Sequence, residues 1–502
     1  MGPSDASVAP ADAASPTQIA RARRLSYLSL ALSVVTVDER FGMRPLLVLG
    51  QLYFRTPLDL TKLRKLLTKR LCPLPRFSAV VVDRGSQVRF DPIPIATMDM
   101  WYHVVELPVE DTSPWTSSKL DGFLSSLNTP EYGLDATRPL WRFFYIPKLA
   151  DGRSLLVPVI NHAIGDGVAL VSALLSITDD APSTFTAFVP SSQAVARAAS
   201  PAPPPAPSPT LPPAPPPARR AAAPPASLGT RVCAALMGCV EATLGPVLPA
   251  DPPSRLKLRD HRNPPHARVC AQSEQVPLEM IKEIKNAFEG VTVNDVLLAL
   301  MTMTLRRYHE EAGSPLPRRM RGIFPISLRD SSDSPACATM GNQFGNGVFS
   351  FPTDYADPAA LVRAVKRQLD AIKASPKPYI ERALFSAVLP PLMTHGQCLR
   401  NVTRNLLLDV YGKATALLSN VPGPQSQAWL CGEALDDLMF YSFVPLGVYI
   451  GVISYNGKVS TGICCVPECE SDAALIARHW KPAVEELLAA ARATTRARAE
   501  GQ

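Results

Sequence analysis

Residues 156–173 read LVPVINHAIGDGVALVSA. An apolar run of strand length stops at Asn161. A short turn then carries His162, Gly165, Asp166 and Gly167, and a second apolar run, of helical length, follows. Strand, turn and helix in that order are the building unit of an α/β fold. Gly-Asp-Gly is a turn signal by itself, so His162 is either incidental to the turn or a base mounted at a strand end. The second reading has a chemical basis: neutral imidazole, with an ordinary pKa near ~6.5, is well matched to taking a proton at neutral pH. The two glycines predict a sharp turn and room for another segment to come close. Asp166 either faces the imidazole or turns away and holds the loop through an arginine.

The flanking chain alternates strands and helices. PLLVLGQLYF (45–54), FSAVVVD (77–83), LWRFFYIP (140–147) and LLVPVI (155–160) read as strands, and LDLTKLRKLLTKRL (58–71) as an amphipathic helix. The last two strands are expected to pair across a turn at Asp151-Gly152. Pro158 argues against a central place in the sheet, because proline cannot donate to a ladder. Residues 201–226, PAPPPAPSPTLPPAPPPARRAAAPPA, predict an extended polyproline linker. Beyond it PLEMIKEIKNAF (277–288), VNDVLLALMTMTLRRYHEEA (293–312), LVRAVKRQLDAIKAS (361–375) and DAALIARHWKPAVEELLAAARA (472–493) read as helices. RGIFPISL (321–328), GVFSFP (347–352), LMFYSFVPLGVYIGVISYNG (438–457) and KVSTGICCV (458–466) read as strands. The expected division is a disordered N-terminus (1–20), an N-terminal domain (21–185), a Pro/Ala-rich linker (186–230), a C-terminal domain (231–495) and a tail (496–502).

A chain of 502 residues is too long for one core. Its 52 prolines against 27 glycines reflect the stiff segment, while 46% hydrophobic and 19% charged residues mark a folded globular protein. A net charge of +7 is a mild bias toward anionic surfaces or phosphorylated ligands. No finger spacing, basic helix or basic-aromatic stretch points to nucleic acid. The ten cysteines show no paired C-x-x-C spacing, so free thiols and no metal site are expected. The N-terminal residues lack the apolar core of a signal peptide, and no apolar run reaches the ~18 residues of a membrane span. VCAALMGCVEATLGPVLP (232–249) reads as a core or interfacial helix.

Six further blocks join the His162 turn. LDATRPLWRFF carries Pro139, Leu140 and Trp141; GVTVNDVLLALMTMTLRRY carries Asn294 and Asp295; IFPISLRD contains a P-x-S-x-R block ending at Arg329. GNQFGN starts at Gly341 and Asn342, LSNVPGP spans Asn420 to Pro424, and ISYNG includes Ser454. Their identity and order resemble the wax ester synthase / acyl-CoA:diacylglycerol acyltransferase family, whose signature is H-H-x-x-x-D-G. The first signature histidine is Asn161 here, which hydrogen-bonds but takes up no proton; the second is retained as His162.

That resemblance implies two chloramphenicol-acetyltransferase-like α/β domains, each a mixed sheet flanked by helices, with the active site at their interface. It implies acyl-CoA as co-substrate with no further cofactor, and esterification of a fatty alcohol, a diacylglycerol, or both. His162 is then the base, and Ser419 or Asn420 a donor to the oxyanion. Asp166 pairs with Arg329 by analogy with plant His-x-x-x-Asp-Gly acyltransferases. Asn294 and Asp295 lie near the site as well as at a helix start, where caps are expected anyway. Trp141 reads first as a core aromatic and His103 as structural. Arg318, Arg319 and Arg321 either meet the coenzyme A phosphates or form a solvated loop. Such acceptors predict an intracellular protein bound peripherally to the endoplasmic reticulum or a lipid droplet. Two alternatives stay open: a related acyltransferase with another alcohol acceptor, and a weakly catalytic lipid-binding scaffold.

Overall fold

The computed structural model describes residues 46–500, apart from 84–87, 110–113, 130, 180–248, 263–266, 330–339 and 395. The segments expected at 1–20 and 186–230, and nearly all of 232–249, lie outside the described residues. The first half runs β1 (Leu47–Phe54), α1 (Leu60–Arg70), β2 (Ala79–Asp83), β3 (Val88–Pro92), β4 (Val104–Glu106), α2 (Ser117–Ser126), β5 (Trp141–Ile146), β6 (Ser154–Asn161) and α3 (Gly167–Ser176). The second half opens with β7 (Val269–Gln272), β8 (Val276–Pro277), α4 (Leu278–Ala287), α5 (Val293–Glu311), β9 (Arg321–Ser327) and β10 (Phe344–Ser350). Three helices follow, α6 (Pro358–Ala374), α7 (Lys377–Thr394) and α8 (Gln397–Tyr411). The chain closes with β11 (Ala416–Pro422), β12 (Trp429–Leu430), β13 (Glu433–Ser442), β14 (Val448–Tyr455), β15 (Lys458–Cys465), α9 (Ala473–Arg478) and α10 (Trp480–Glu500). The last helix reaches Glu500, so the tail expected from 496 is helical to that point.

The first sheet has the order β12-β13-β1-β6-β5-β4, and the second β10-β9-β11-β14-β15-β7. Strands β12 and β13 come from the second half of the chain yet complete the first sheet, β13 lying antiparallel along β1 from Val48↔Ser442 to Phe54↔Leu435. The run 438–457, expected as one strand segment, is therefore two strands in two sheets. Phe443–Gly447, with Pro445 among them, carry the chain from one to the other.

Pro158 is central, contrary to the expectation that proline would keep β6 at an edge: β6 lies between β1 and β5. The reason is local. The β1–β6 register breaks between Leu49↔Val159 and Leu52↔Leu156, where no ladder donor is asked of Pro158. Across that gap stands Gly50, at which a Cβ would lie 3.2 Å from the Pro158 ring. The hairpin of β5 and β6 turns at Gly152, whose φ is +85°.

Two cores result. One fills the first sheet and its helices with Trp141, Phe143, Leu156 and Ile160, and takes in Met439, Tyr441, Tyr449 and Ile453 from the second half. The other lies between the far face of the second sheet and α4, α5, α6 and α10, around Val296, Val365, Ile450 and Trp480.

Candidate active site

His162 directly follows β6. Its N–H donates to the Leu46 carbonyl at 2.8 Å, and the Asn161 N–H donates to the Leu140 carbonyl at 3.0 Å, so both flanking strands hold the turn. Asn161 is 1% exposed, and its side-chain oxygen accepts from the Ala163 N–H at 2.9 Å. It caps the turn in which His162 sits. Trp141 is fully buried; its indole N–H donates to the Phe77 carbonyl at 2.7 Å, and His103 stacks on it at 4.2 Å. Burial holds His103 neutral, with its pKa pushed down to about 4. The Pro139-Leu140-Trp141 block thus anchors the strand end beneath His162.

The imidazole meets an amide from the other half of the chain. Asn342, 2% exposed, donates from Nδ2 to the His162 carbonyl at 2.8 Å, and its Oδ1 lies 3.1 Å from Nδ1. The first bond orients the amide, so the atom facing Nδ1 can only accept. Nδ1 therefore carries the hydrogen, and Nε2 presents a lone pair. Phe344 lies beside the ring, centroid to centroid at 6.3 Å. Burial pushes the His162 pKa below its ordinary value, and its backbone, the Asp166 charge and Asn342 oppose that push more weakly. The side chain is neutral at pH 7.

Asp166 turns away from the imidazole. One carboxylate oxygen caps α3 by accepting from the Ala169 N–H at 3.0 Å. The other accepts from Arg329 Nη2 at 3.0 Å and from the Gln343 N–H at 2.9 Å. Arg329 Nη2 also donates to the Gly341 carbonyl at 2.7 Å. Gly341, Asn342 and Gln343 in succession are thus bonded to the His162 turn or to its arginine. Gly341 has φ +123°, a conformation that disfavours a side chain, and a Cβ there would lie 3.0 Å from the Arg76 guanidinium. Arg76 is itself buried, donates to the Ala163 carbonyl at 2.8 Å, and has its pKa lowered to about 10, mainly by burial. Neither Arg76 nor the pairing of Asn342 with His162 was read from the sequence. Asn342 stood in a recognised block, but Arg76 had no signal.

Gly165 and Gly167 do not take positive φ. Their role is space rather than a sharp turn. A Cβ on Gly165 would lie 3.1 Å from Met340 Cε, and one on Gly167 3.3 Å from Val421 Cγ2. The second contact brings β11 against the start of α3.

Side chains alternate across a strand, and β11 divides the two residues expected together at the site. Leu417 and Val421 pack toward the first core, whereas Ala416 and Leu418 belong to the helix-side core. Ser419 shares the first face, and burial raises the pKa of Tyr449 on the neighbouring strand β14. Asn420 takes the opposite face, its Nδ2 donating to Asn294 Oδ1 at 2.6 Å. Asp295 closes a capping box with Thr292 at the start of α5 and is fully buried. Asn294 and Asn420 thus meet each other on the helix side of the sheet.

Arg321 pairs with buried Asp251 at 2.7 Å and Arg319 with the same carboxylate at 3.6 Å, while Arg318 is exposed. A surface hollow of about 390 Å³ is lined by α1, Met100 and Trp101, none of which belongs to the His162 site. Among the described residues no cluster of metal-ligating side chains occurs.

Two mixed sheets flanked by helices, with a histidine turn of one half clasped by the other, define a chloramphenicol-acetyltransferase-like acyltransferase fold. The chain belongs to the wax ester synthase/diacylglycerol acyltransferase family: the model of its catalytic domain matches residues 53–297 and that of its C-terminal domain residues 340–488. It is an O-acyltransferase by that membership. A protein of Mycobacterium tuberculosis named as a diacylglycerol O-acyltransferase is 28% identical over 385 residues, 71% of this chain and 68% of that one. Another from the same species is 24% identical over 441 residues, covering 84% and 87%. Among solved structures, the wax ester synthase/diacylglycerol acyltransferase from Marinobacter aquaeolei VT8 superposes with a TM-score of 0.59 at 17% identity, over 93% of this chain and all of that one. The first condensation domain of the calcium-dependent antibiotic synthetase gives 0.56 at 13% identity, over 93% and 96%.

Proposed function

We propose that this chain transfers the acyl group of acyl-CoA to the hydroxyl of diacylglycerol or a long-chain alcohol, with His162 as general base. The orientation of the imidazole carries the reading: Asn342 occupies Nδ1–H and leaves Nε2 free to accept a proton. The alcohol proton moves to Nε2 as its oxygen attacks the thioester carbon. The resulting oxyanion is stabilised by donors on the face of β11 that packs against the start of α3, Ser419 being the candidate. The carbon–sulfur bond then breaks, and the imidazolium returns its proton to the departing thiolate. Asp166, Arg329 and Asn161 position the turn and do not touch the reacting atoms. No metal and no covalent acyl-enzyme enter this scheme. The relatives' name favours diacylglycerol as acceptor, and the family name adds fatty alcohols. Both acceptors partition into lipid, so the protein is placed peripherally at the endoplasmic reticulum membrane or a lipid-droplet surface.

The test is expression of wild type and His162→Ala in a host without its own neutral-lipid acyltransferases, with labelled acyl-CoA and either hexadecanol or diacylglycerol. Ester formation is expected from the wild type and a drop of about 10²-fold or more in the variant. Equal product from both removes His162 from the mechanism.

A further inference from the structure

Among the described residues, six of the eleven exposed large hydrophobic side chains lie on one helical hairpin: Tyr379, Leu384 and Val388 on α7, and Leu399, Val402 and Leu406 on α8. Leu399, Val402 and Leu406 stand at i, i+3 and i+7, one stripe of a helix, and Leu384 and Val388 at i and i+4. α7 is apolar on its inner side as well, where Leu389 and Met393 are buried. From Ala383 to Met393 α7 carries no charged side chain, and apolar residues on its outer face there call for an apolar neighbour. Neither exposed stripe contains a carboxylate. The hairpin's sequence holds four cations, Lys377, Arg382, Arg400 and Arg404, against two carboxylates, Glu381 and Asp409. Arg400 is buried and paired with Asp83 at 2.6 Å, so the cations beside the stripes are exposed Arg382 and half-buried Arg404. Both carboxylates are already paired, Glu381 with Lys377 at 3.8 Å and Asp409 with Arg262 at 2.6 Å.

We propose that the α7–α8 hairpin is the face by which the protein lies on an anionic phospholipid bilayer, with the apolar stripes among the acyl chains and Arg382 and Arg404 at the headgroups. A second copy seated there would set cations against cations; an anionic lipid surface complements them. The hairpin is also continuous with the site. Pro378 packs so closely on β10 that a Cβ at Gly345 would lie 2.6 Å from it, and the neighbouring Phe344 lies beside His162. Resting on the lipid-acceptor reading above, this face puts the source of the acceptor next to the base. Among the described residues no helix is long and apolar enough to cross a membrane, which fits a hairpin lying on the surface.

The full-length protein is floated with vesicles of phosphatidylcholine, with and without phosphatidylglycerol. It is compared with Leu399→Ser/Val402→Ser/Leu406→Ser and, separately, Leu384→Ser/Val388→Ser. Thermal unfolding checks the fold, light scattering the oligomeric state, and turnover of a short water-soluble alcohol the active site. Wild type is expected to float with the phosphatidylglycerol vesicles. The bound fraction of each variant is expected to fall about tenfold or more, with the soluble turnover and unfolding temperature retained. Wild type that stays off the vesicles, or variants that bind as wild type does, overturns the proposal. Variants that change the oligomeric state and not the flotation assign the face to a second copy. Absence of ester from any acceptor, with flotation behaving as expected, rejects the acyl-transfer reading and leaves the lipid face standing.

Discussion

Asn342 takes the Nδ1 hydrogen of His162 without bringing a negative charge to it. Among the described residues an imidazolium formed at Nε2 has no hydrogen-bonded carboxylate, Asp166 spending its oxygens on Ala169, Arg329 and Gln343. Burial is then the dominant influence, and the acid limb of kcat/KM is expected below the ordinary 6.5, with a flat profile through neutrality. The same shift has a stability sign. As pH falls through 6.5, the unfolded chain takes up a proton that the folded site refuses, so His162 withdraws stability on the acid side. Asn342→Asp puts a carboxylate at Nδ1 and should raise the acid limb by ~1 unit or more. Asn342→Ala should lower kcat about 10²-fold with KM for acyl-CoA little changed. An acid limb that stays put in Asn342→Asp would discard Asn342 as the partner of the ring. The sequence reading singled out His162, but its hydrogen-bond partner stands 180 positions away, a separation at which no local pattern reports a hydrogen bond.

At the scale of elements, the contact of α3 with β11 is set by the absence of a side chain at Gly167. Gly167→Val drives new methyl groups into Val421, already 3.3 Å from the place of a Cβ. Overpacking of this kind costs about 1–3 kcal/mol, and here it moves the strand that carries Ser419. The expected outcome is a modest fall in Tm and a fall of about tenfold or more in kcat/KM, read by calorimetry and steady-state kinetics. Gly122→Ala in α2 is the control, since nothing lies within 4 Å of the new methyl. It should raise stability by ~0.5–1 kcal/mol and leave turnover alone. Unchanged kinetics in Gly167→Val would mean that the spacing of α3 and β11 does not matter to catalysis. Most elements were visible as periodicity: α4, α5, α6 and β9 fall within a few residues of their expected bounds. The hairpin of α7 and α8 was not singled out, because apolar residues on both faces of α7 blur the helical period.

For the whole molecule, the decisive feature is β13, which leaves the second half and completes the sheet of the first. Chain order and spatial order therefore differ, and a boundary drawn at the Pro/Ala segment does not separate two self-sufficient sheets. Residues 1–185 alone would leave the apolar β1 with an open edge, a template for aggregation. That fragment is expected to be insoluble by itself and recovered in soluble form when co-expressed with 186–502, assayed by sedimentation and circular dichroism. A soluble, two-state-folding 1–185 fragment would contradict the shared sheet as a folding requirement.

The sequence by itself determined the histidine turn, the strands and helices with clean periodicity, and the family resemblance, because each rests on residues close together in the chain. Tertiary structure alone decided that Asn342 orients His162, that Asp166 is a brace held by Arg329, and that Ser419 and Asn420 lie on opposite faces of β11, Asn420 toward α5. It also decided that Pro158 sits centrally opposite Gly50 and that β13 crosses between sheets. The physical reason is common to all of these. Hydrogen bonds, strand pairings and the space left by a missing Cβ depend on what lies opposite in the folded chain, and for these residues that partner is about 100–400 positions away.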